Sequence, residues 1–170
     1  MKKTKKIAFI GLMLAIIAIL SAIEHILLPP LPFLPPNMKL GLSNIIVMYC
    51  VFFVCKTQAA ALNIAKSMFV LLMRGPFAAA LSFCGGILSI SIIILLIKIF
   101  KERVSYTAVS VTGAIAHNIG QFAAVSVIIN SPYIIYYLPV LLISGVILGS
   151  ITGLLLRIIM PAFNNIYKNT

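Results

Sequence analysis

Residues 62–73 of the chain read LNIAKSMFVLLM, an apolar stretch with one lysine, Lys66, near its middle. A lysine at the centre of a bilayer costs about 2.5 to 3.5 kcal/mol, whereas each Leu, Ile, Phe or Val there returns about 0.3 to 0.6 kcal/mol. The stretch has six such apolar residues, so Lys66 alone roughly cancels their gain. A membrane helix with this sequence requires Lys66 to face protein, water or a ligand, which predicts a functional site.

The composition around this stretch is that of an integral membrane protein. Of 170 residues, 62% are hydrophobic and only two are acidic, and the apolar runs are longer than a soluble core requires. The net charge of +11 does not indicate nucleic-acid binding, because the basic residues form short runs between apolar segments. Cys50, Cys55 and Cys84 have no CxxC spacing, so they predict neither a disulfide nor a metal site.

Helix-breaking residues divide the chain into six predicted transmembrane helices that form one domain over residues 1–170. The spans are 7–28, 40–55, 59–73, 77–97, 107–129 and 134–160. The second and third spans are short and could instead form one helix interrupted by Lys56 and Gln58. With six spans and both termini in the cytoplasm, ten Lys and Arg residues lie inside and only Lys39 and Arg74 lie outside. The charge distribution therefore favours an all-α bundle of six transmembrane helices.

Small residues recur on one face of three predicted helices. Such a face lets the backbone of a neighbouring helix approach closely. We expect packing within the chain for the fifth and sixth spans, while the first span, at the edge of the bundle, is equally suited to contact another subunit. The residues are Gly11, Ala15, Ala18 and Ala22 in the first span, Gly113, Ala116, Gly120 and Ala124 in the fifth, and Gly145, Gly149 and Gly153 in the sixth.

Polar side chains are concentrated in the middle of the fifth span. His117 and Gln121 are four residues apart and share a helical face, with Asn118 beside them. Interhelical hydrogen bonds, each worth about 0.6 to 2 kcal/mol in membranes, would account for these residues. The alternative is a ligand site that also uses the buried lysine, and we favour it because polar groups also follow one face of the third span.

The polar face of the third span consists of Asn63, Lys66, Ser67 and Arg74, and it runs from the middle of the membrane outward. The preceding loop, Pro29–Asn37 (PPLPFLPPN), is too rich in proline for a helix and is predicted to be either a lid over an outer cavity or a rigid spacer. After this loop, the start of the second helix suits an anion. The predicted substrate-binding residues are Lys39, Asn44, Asn63, Lys66, Arg74, His117, Asn118 and Gln121.

The sequence shows no recognisable arrangement of catalytic residues. The chain has no aspartate, which removes the paired-aspartate magnesium clusters of diphosphate chemistry, and it has no P-loop. Glu24 and Glu102 are predicted near opposite membrane faces, so they cannot form a catalytic pair. We therefore predict no catalytic residue, no metal and no cofactor, and active transport would need an ion gradient or a partner that hydrolyses nucleotide.

Four motifs carry a resemblance to a known family: PNMKLGLSN (36–44), LMRG (72–75), SFCGG (82–86) and AHNIGQ (116–121). Together they resemble the bacterial membrane family called Gx transporter, also named heptaprenyl diphosphate synthase component I. The resemblance implies a location in the bacterial cytoplasmic membrane and a six-helix fold similar to the S components of energy-coupling factor transporters. In those transporters the first helix presents small residues to a transmembrane coupling subunit, and cytoplasmic ATPases drive uptake.

Three functions are consistent with these features. The first is a substrate-binding membrane subunit that takes up a small anionic or amphipathic molecule, linked to isoprenoid, quinone or vitamin metabolism. In it Lys66 and Arg74 would neutralise the molecule and the polar residues of the fifth helix would orient it. The second is a noncatalytic membrane scaffold that recruits a prenyl diphosphate synthase or a redox partner through basic cytoplasmic loops. The third is a proton-coupled carrier that uses His117 and works without ATPases.

Overall fold

The computed structural model describes residues 3–27, 43–53, 55–100 and 105–168, and these residues form six α-helices and one 3₁₀ segment. The predicted all-α class is confirmed. Three segments are long and apolar enough to cross a membrane: Pro76–Phe100, Tyr106–Ile129 and Pro132–Ile158. The helices are α1 (Lys3–Leu27), α2 (Asn44–Phe53), α3 (Lys56–Arg74), α4 (Pro76–Phe100), α5 (Tyr106–Ile129) and α6 (Leu138–Lys168), with the 3₁₀ segment at Pro132–Tyr137.

The second predicted span is shorter than expected. In place of residues 40–55, helix α2 covers Asn44–Phe53, ten residues or about 15 Å, which is half of the roughly 30 Å hydrocarbon core. Cys55 has extended backbone angles (φ −170°, ψ 142°), so α2 cannot continue into α3. The prediction of two separate helices around Lys56 is therefore confirmed, while the six-span topology and the cytoplasmic termini stay predictions.

Local backbone chemistry explains where the middle helices begin and end. Gly75 ends α3 with φ +85°, a left-handed conformation that glycine adopts without strain, and its N–H donates to Leu71 O. Pro76 follows as the first residue of α4, where no amide hydrogen is needed. Ser105 caps α5 by accepting a hydrogen bond from Ala108 N at 3.1 Å, and Asn130 ends α5 in the left-handed conformation.

The last helix differs from the predicted span 134–160 at both ends. A 3₁₀ segment precedes it, and α6 begins at Leu138, so Pro139 lies in its first turn and costs no hydrogen bond. Pro161 lies just beyond the predicted end of this span, but α6 continues through it to Lys168. A proline inside a helix removes one backbone hydrogen bond but does not always stop the helix.

The core has two apolar parts. The larger one joins α1, through Met13 and Ile17, with α2 and with buried residues of α3 to α6 such as Leu62. The smaller one lies where the 3₁₀ segment meets α4, α5 and α6, and it contains Leu81, Val125, Ile134 and Leu141. Several polar side chains, among them Asn63, Lys66 and His117, are buried as well.

Helices α5 and α6 pack with their backbones in close contact. A Cβ atom at Gly149 would lie 2.5 Å from Val111 Cα, and one at Gly153 would lie 2.7 Å from Thr107 Cα. The hydroxyls of Ser110 and Thr152 are hydrogen bonded across the same interface at 2.5 Å. The small residues of the fifth and sixth spans thus serve packing within the chain, as predicted.

Candidate functional site

Helix α3 carries its polar side chains on one buried face. Asn63 and Lys66 are 1% and 3% exposed, and Gln58 and Ser67 are buried beside them. Arg74, at the end of the same face, is half-buried. The spacing of three and four residues places these side chains on a single stripe of the helix, as the sequence predicted. Beyond the first turn of α3, its exposed residues, such as Met68 and Leu72, are apolar.

The ammonium group of Lys66 contacts the start of helix α2. Lys66 Nζ donates a hydrogen bond to Asn44 Oδ1 at 3.0 Å, and both side chains are buried. Asn44 is the first residue of α2, so the bond holds the end of this short helix against the middle of α3. Two predicted site residues from different segments are thereby brought together.

Asn63 lies against helix α4, where two glycines provide the space. Its Nδ2 donates to Phe83 O at 3.4 Å, while its Oδ1 is buried and has no hydrogen-bond partner among the described residues. A Cβ atom at Gly86 would overlap the amide group of Asn63. The absence of a side chain at Gly86 is therefore what allows Asn63 to occupy its position.

His117 and Gln121 form a second polar pair, on α5. Gln121 Nε2 lies 2.8 Å from His117 Nε2 and donates to it when that ring nitrogen carries no proton. Both side chains are at most 3% exposed, and the Oε1 atom of Gln121 has no partner within the described part of the chain. The imidazole packs against Gly85, where an added Cβ would lie 2.8 Å from the ring.

The contacts with α4 show that the two polar groups lie at similar depth. Asn63 of α3 contacts the backbone at Phe83 and Gly86, and His117 of α5 contacts the neighbouring Gly85. The two groups therefore contact α4 at adjacent residues, Gly85 and Gly86, which have no side chains. We call Asn44, Asn63, Lys66, His117 and Gln121 the polar centre.

Asn118 does not belong to the polar centre, contrary to the sequence prediction. Its Nδ2 donates to Leu141 O at 2.8 Å and to Ser144 Oγ at 3.3 Å, so the side chain points to α6. Successive residues of an α-helix project about 100° apart, which turns Asn118 away from the face of His117. Its contacts are those of an interhelical hydrogen bond, which was the alternative explanation for the polar residues of α5.

Arg74 and Lys39 are the two remaining predicted site residues. Arg74 lies eleven residues beyond Asn63, about 16 Å along the axis of α3, at the end of the helix, and its place in a binding site stays a prediction. Lys39 and the Pro29–Asn37 loop lie outside the described residues. The proposed lid and the cation at its end therefore stay predictions.

The polar centre adjoins a small cavity between α2, α5 and α6. The cavity has a volume of about 10 Å³ and is lined by polar groups of Asn44, His117 and Thr152 among apolar side chains. About 10 to 15 Å³ on this measure holds one water molecule, so the site is closed around at most one water in this structure. A larger guest requires that these helices move apart.

Residues that the sequence reasoning did not assign also contribute to the site. The Gly85–Gly86 pair admits both polar groups, and Gln58 and Ser82 are buried with oxygen atoms that lack partners among the described residues. A glycine pair in the middle of an apolar helix is the signal that could have identified the contact surface. No group of three or more His, Cys, Asp or Glu side chains that could hold a metal occurs in the part of the chain that the structure describes.

Replacing Asn118 by leucine should lower the stability of the protein without changing what its interior binds. The substitution removes the bond to Leu141 O, and interhelical bonds of this kind contribute about 0.6 to 2 kcal/mol. Thermal unfolding of the purified variant measures the loss. Gln121→Leu is the matched comparison on the same helix, and loss of bound small molecules in Asn118→Leu but not in Gln121→Leu would return Asn118 to the site.

Comparison with known proteins identifies a family. A family model described as heptaprenyl diphosphate synthase component I matches residues 13–159, which include all of the polar centre. Neither the curated proteins nor the solved structures gave a match.

Proposed function

The chain belongs to the heptaprenyl diphosphate synthase component I family, and we propose that this member is a substrate-binding subunit in the bacterial cytoplasmic membrane. It would bind a small anionic or amphipathic molecule and resemble the S components of energy-coupling factor transporters. The proposal extends to one domain of six membrane helices over residues 1–170. The enclosed polar centre is the main support for a binding role.

The observation that carries the proposal is a polar centre that combines a buried ammonium with buried amide oxygens that lack partners among the described residues. Lys66 is nine-tenths buried or more, and so are Asn63 and Gln121, whose side-chain oxygens have no partner in the described part of the chain. A buried polar atom without a partner costs about 1 to 3 kcal/mol. Residues kept at such a cost in an apolar bundle are expected to bind something, with Lys66 neutralising an acidic group and the amides receiving N–H or O–H donors.

Binding requires an opening, because the cavity next to the polar centre now holds at most one water. We expect α2 to be the helix that moves, because it is short. The hydrogen bond from Lys66 to Asn44 holds its first residue in place, and breaking this bond would release α2. A bound acidic group would compete with Asn44 for this ammonium. Ligand entry and release of α2 would then be the same event.

The proposed contact with a coupling subunit uses the small-residue face of α1. Gly11 and Ala15 are exposed, and a Cβ atom at Gly11 would meet nothing within 4 Å. The opposite face of α1, with Met13 and Ile17, is buried against the core. A flat exposed face on a helix at the edge of the bundle suits the close approach of a helix from another protein. The coupling subunit would bring the ATPases that drive uptake.

Substituting Gly11 and Ala15 together by leucine should prevent copurification of a transmembrane coupling subunit and its ATPases. The two leucines would separate the helices by the width of a side chain, while the fold stays intact because this face is exposed. Affinity purification of the intact chain from its native membrane measures the loss. Ala60 and Ala61 on α3 are exposed as well, so the same double change there is the matched control.

The second candidate is a noncatalytic membrane component that recruits a prenyl diphosphate synthase. The family description names a component I of such a synthase, which favours a further component as partner. Lys56 and Lys98 are exposed near helix ends and Arg157 is exposed on α6, and these cations could contact an acidic surface of that partner. The same purification separates the candidates, because a soluble synthase would appear in place of a coupling subunit with ATPases, and the Gly11 and Ala15 double variant would retain it.

The proposed function is tested by identifying small molecules that copurify with the chain. Mass spectrometry of extracts from the purified protein should detect at least one compound that is depleted in a Lys66→Met preparation. Gentle detergents and prompt extraction are needed, since the closed site suggests slow exchange. Identical small-molecule content in the two preparations would contradict the capture function.

A further inference from the structure

Two exposed tyrosines lie in one column of the 3₁₀ segment between α5 and α6. A 3₁₀ helix has three residues per turn, so Tyr133 and Tyr136 lie directly above one another, and we call them the tyrosine column. Their side chains are 72% and 76% exposed. The next column of the same segment faces inward, because Ile134 is buried in the smaller apolar core and Tyr137 packs against it. The segment is therefore held against the bundle with the tyrosine column turned outward.

The tyrosine column lies where two membrane-length segments are joined. Tyr106–Ile129 and Pro132–Ile158 are each long and apolar enough to cross a bilayer, so their connection falls at its surface. The exposed side chains at the adjoining end of α5, residues 127–129, are apolar, and residues 130–137 include no charged side chain. Tyrosine combines an apolar ring with a polar hydroxyl, which suits it to the boundary between hydrocarbon and headgroups.

A third exposed tyrosine marks the other end of α5. Tyr106 is the first residue of this helix and is 37% exposed. Helix α5 has 24 residues and is about 36 Å long, which exceeds the roughly 30 Å hydrocarbon core but not the bilayer of about 40 to 45 Å with its headgroups. The two levels of tyrosine therefore match the two boundaries of one bilayer. Lys98 and Arg157 are exposed near the Tyr106 end, where long cationic side chains can reach lipid phosphates.

This match gives the depth of the polar centre in the bilayer. His117 lies eleven residues from Tyr106 and twelve from Ile129, so it is about 16 to 18 Å from either end of α5. We propose that the tyrosine column contacts lipid headgroups at one face of the bilayer and that Tyr106 contacts them at the other. The polar centre then lies at the midplane. The inference rests on the membrane location in the proposed function and is independent of any ligand.

Fluorescence quenching by brominated lipids measures these depths. The chain contains no tryptophan, so each single substitution introduces one tryptophan without a background signal. The full chain is reconstituted in phosphatidylcholine vesicles that carry bromine either near the headgroup or near the end of the acyl chain. Tyr133→Trp, Tyr136→Trp and Tyr106→Trp should each report a depth of about 15 to 20 Å from the bilayer centre, because tryptophan favours the same boundary as tyrosine.

Ile119→Trp is the matched control in the middle of α5. Ile119 is exposed and lies two residues from His117, about 3 Å along the axis, so its tryptophan should report a depth within about 5 Å of the centre. Quenching of Ile119→Trp without quenching of Tyr133→Trp and Tyr136→Trp would overturn the headgroup contact and leave the membrane location standing. A shallow depth for Ile119→Trp would overturn the midplane position. The absence of quenching in every variant would contradict the membrane location and, with it, the proposed function.

Discussion

Replacing Lys66 by methionine should abolish the retention of small molecules and leave membrane insertion unchanged or improved. In the proposed topology α3 crosses the membrane, and removing a lysine from the middle of such a helix gains about 2.5 to 3.5 kcal/mol on the insertion scale. The change also leaves Asn44 Oδ1 without the 3.0 Å bond from Lys66, at a cost of about 1 to 3 kcal/mol. These effects nearly cancel, so the fold should survive while an acidic ligand loses the ammonium.

The Lys66→Met experiment has a matched control in the same membrane domain. Lys98 is exposed near the end of α4, so Lys98→Met removes one charge without touching the polar centre. Carbonate extraction measures insertion, and mass spectrometry of the purified proteins measures bound molecules. Complete loss in Lys66→Met with full retention in Lys98→Met is the expected result. A Lys66→Met protein that retains the same compounds as wild type would show that the binding residues are assigned wrongly.

The second large effect is expected from Gly86→Ala. The new Cβ would overlap the amide group of Asn63, which is itself enclosed between α3 and α4. Overpacking of this kind costs about 1 to 3 kcal/mol, and more when the displaced group is polar and cannot reach water. The site should lose binding as well, because Asn63 would be driven out of the polar centre.

Two further variants isolate the cause of the Gly86→Ala effect. Gly11→Ala introduces the same methyl group where nothing lies within 4 Å, so it should gain about 0.5 to 1 kcal/mol from helix propensity. Asn63→Ala combined with Gly86→Ala should recover much of the lost stability, because the clash is removed. Thermal unfolding of the purified proteins checks both statements. Equal stability of Gly86→Ala and Gly11→Ala would refute the close contact.

The burial of Lys66 was predictable because one energetic argument decides it. A lysine in an apolar stretch must be enclosed or the helix is not stable in a membrane, and the same reasoning grouped it with Asn63 on one helical face. The helical spacing of His117 and Gln121 was read correctly for the same reason. These are local arguments, which depend on residues within one helix.

What the sequence did not predict depends on contacts between helices. Asn118 bonds to α6, and only the packing of α5 against α6 distinguishes it from its neighbour His117. How α2, α3 and α4 pack together decides which residue of α2 binds Lys66. The same packing places Asn63 in the space left by Gly86. The helical continuation through Pro161 is likewise set by the rest of α6, which overrides a local preference.

The close approach of α5 and α6 has a consequence for how this protein varies among its relatives. At Gly149 and Gly153 even the smallest added side chain would meet the backbone of α5. We therefore expect that no other amino acid is tolerated at these two positions. Exposed residues of the same helix, such as Ile151 and Leu154, can interchange with other apolar types. Sequence divergence along α6 should therefore be periodic, with invariant glycines separated by freely changing aliphatic residues.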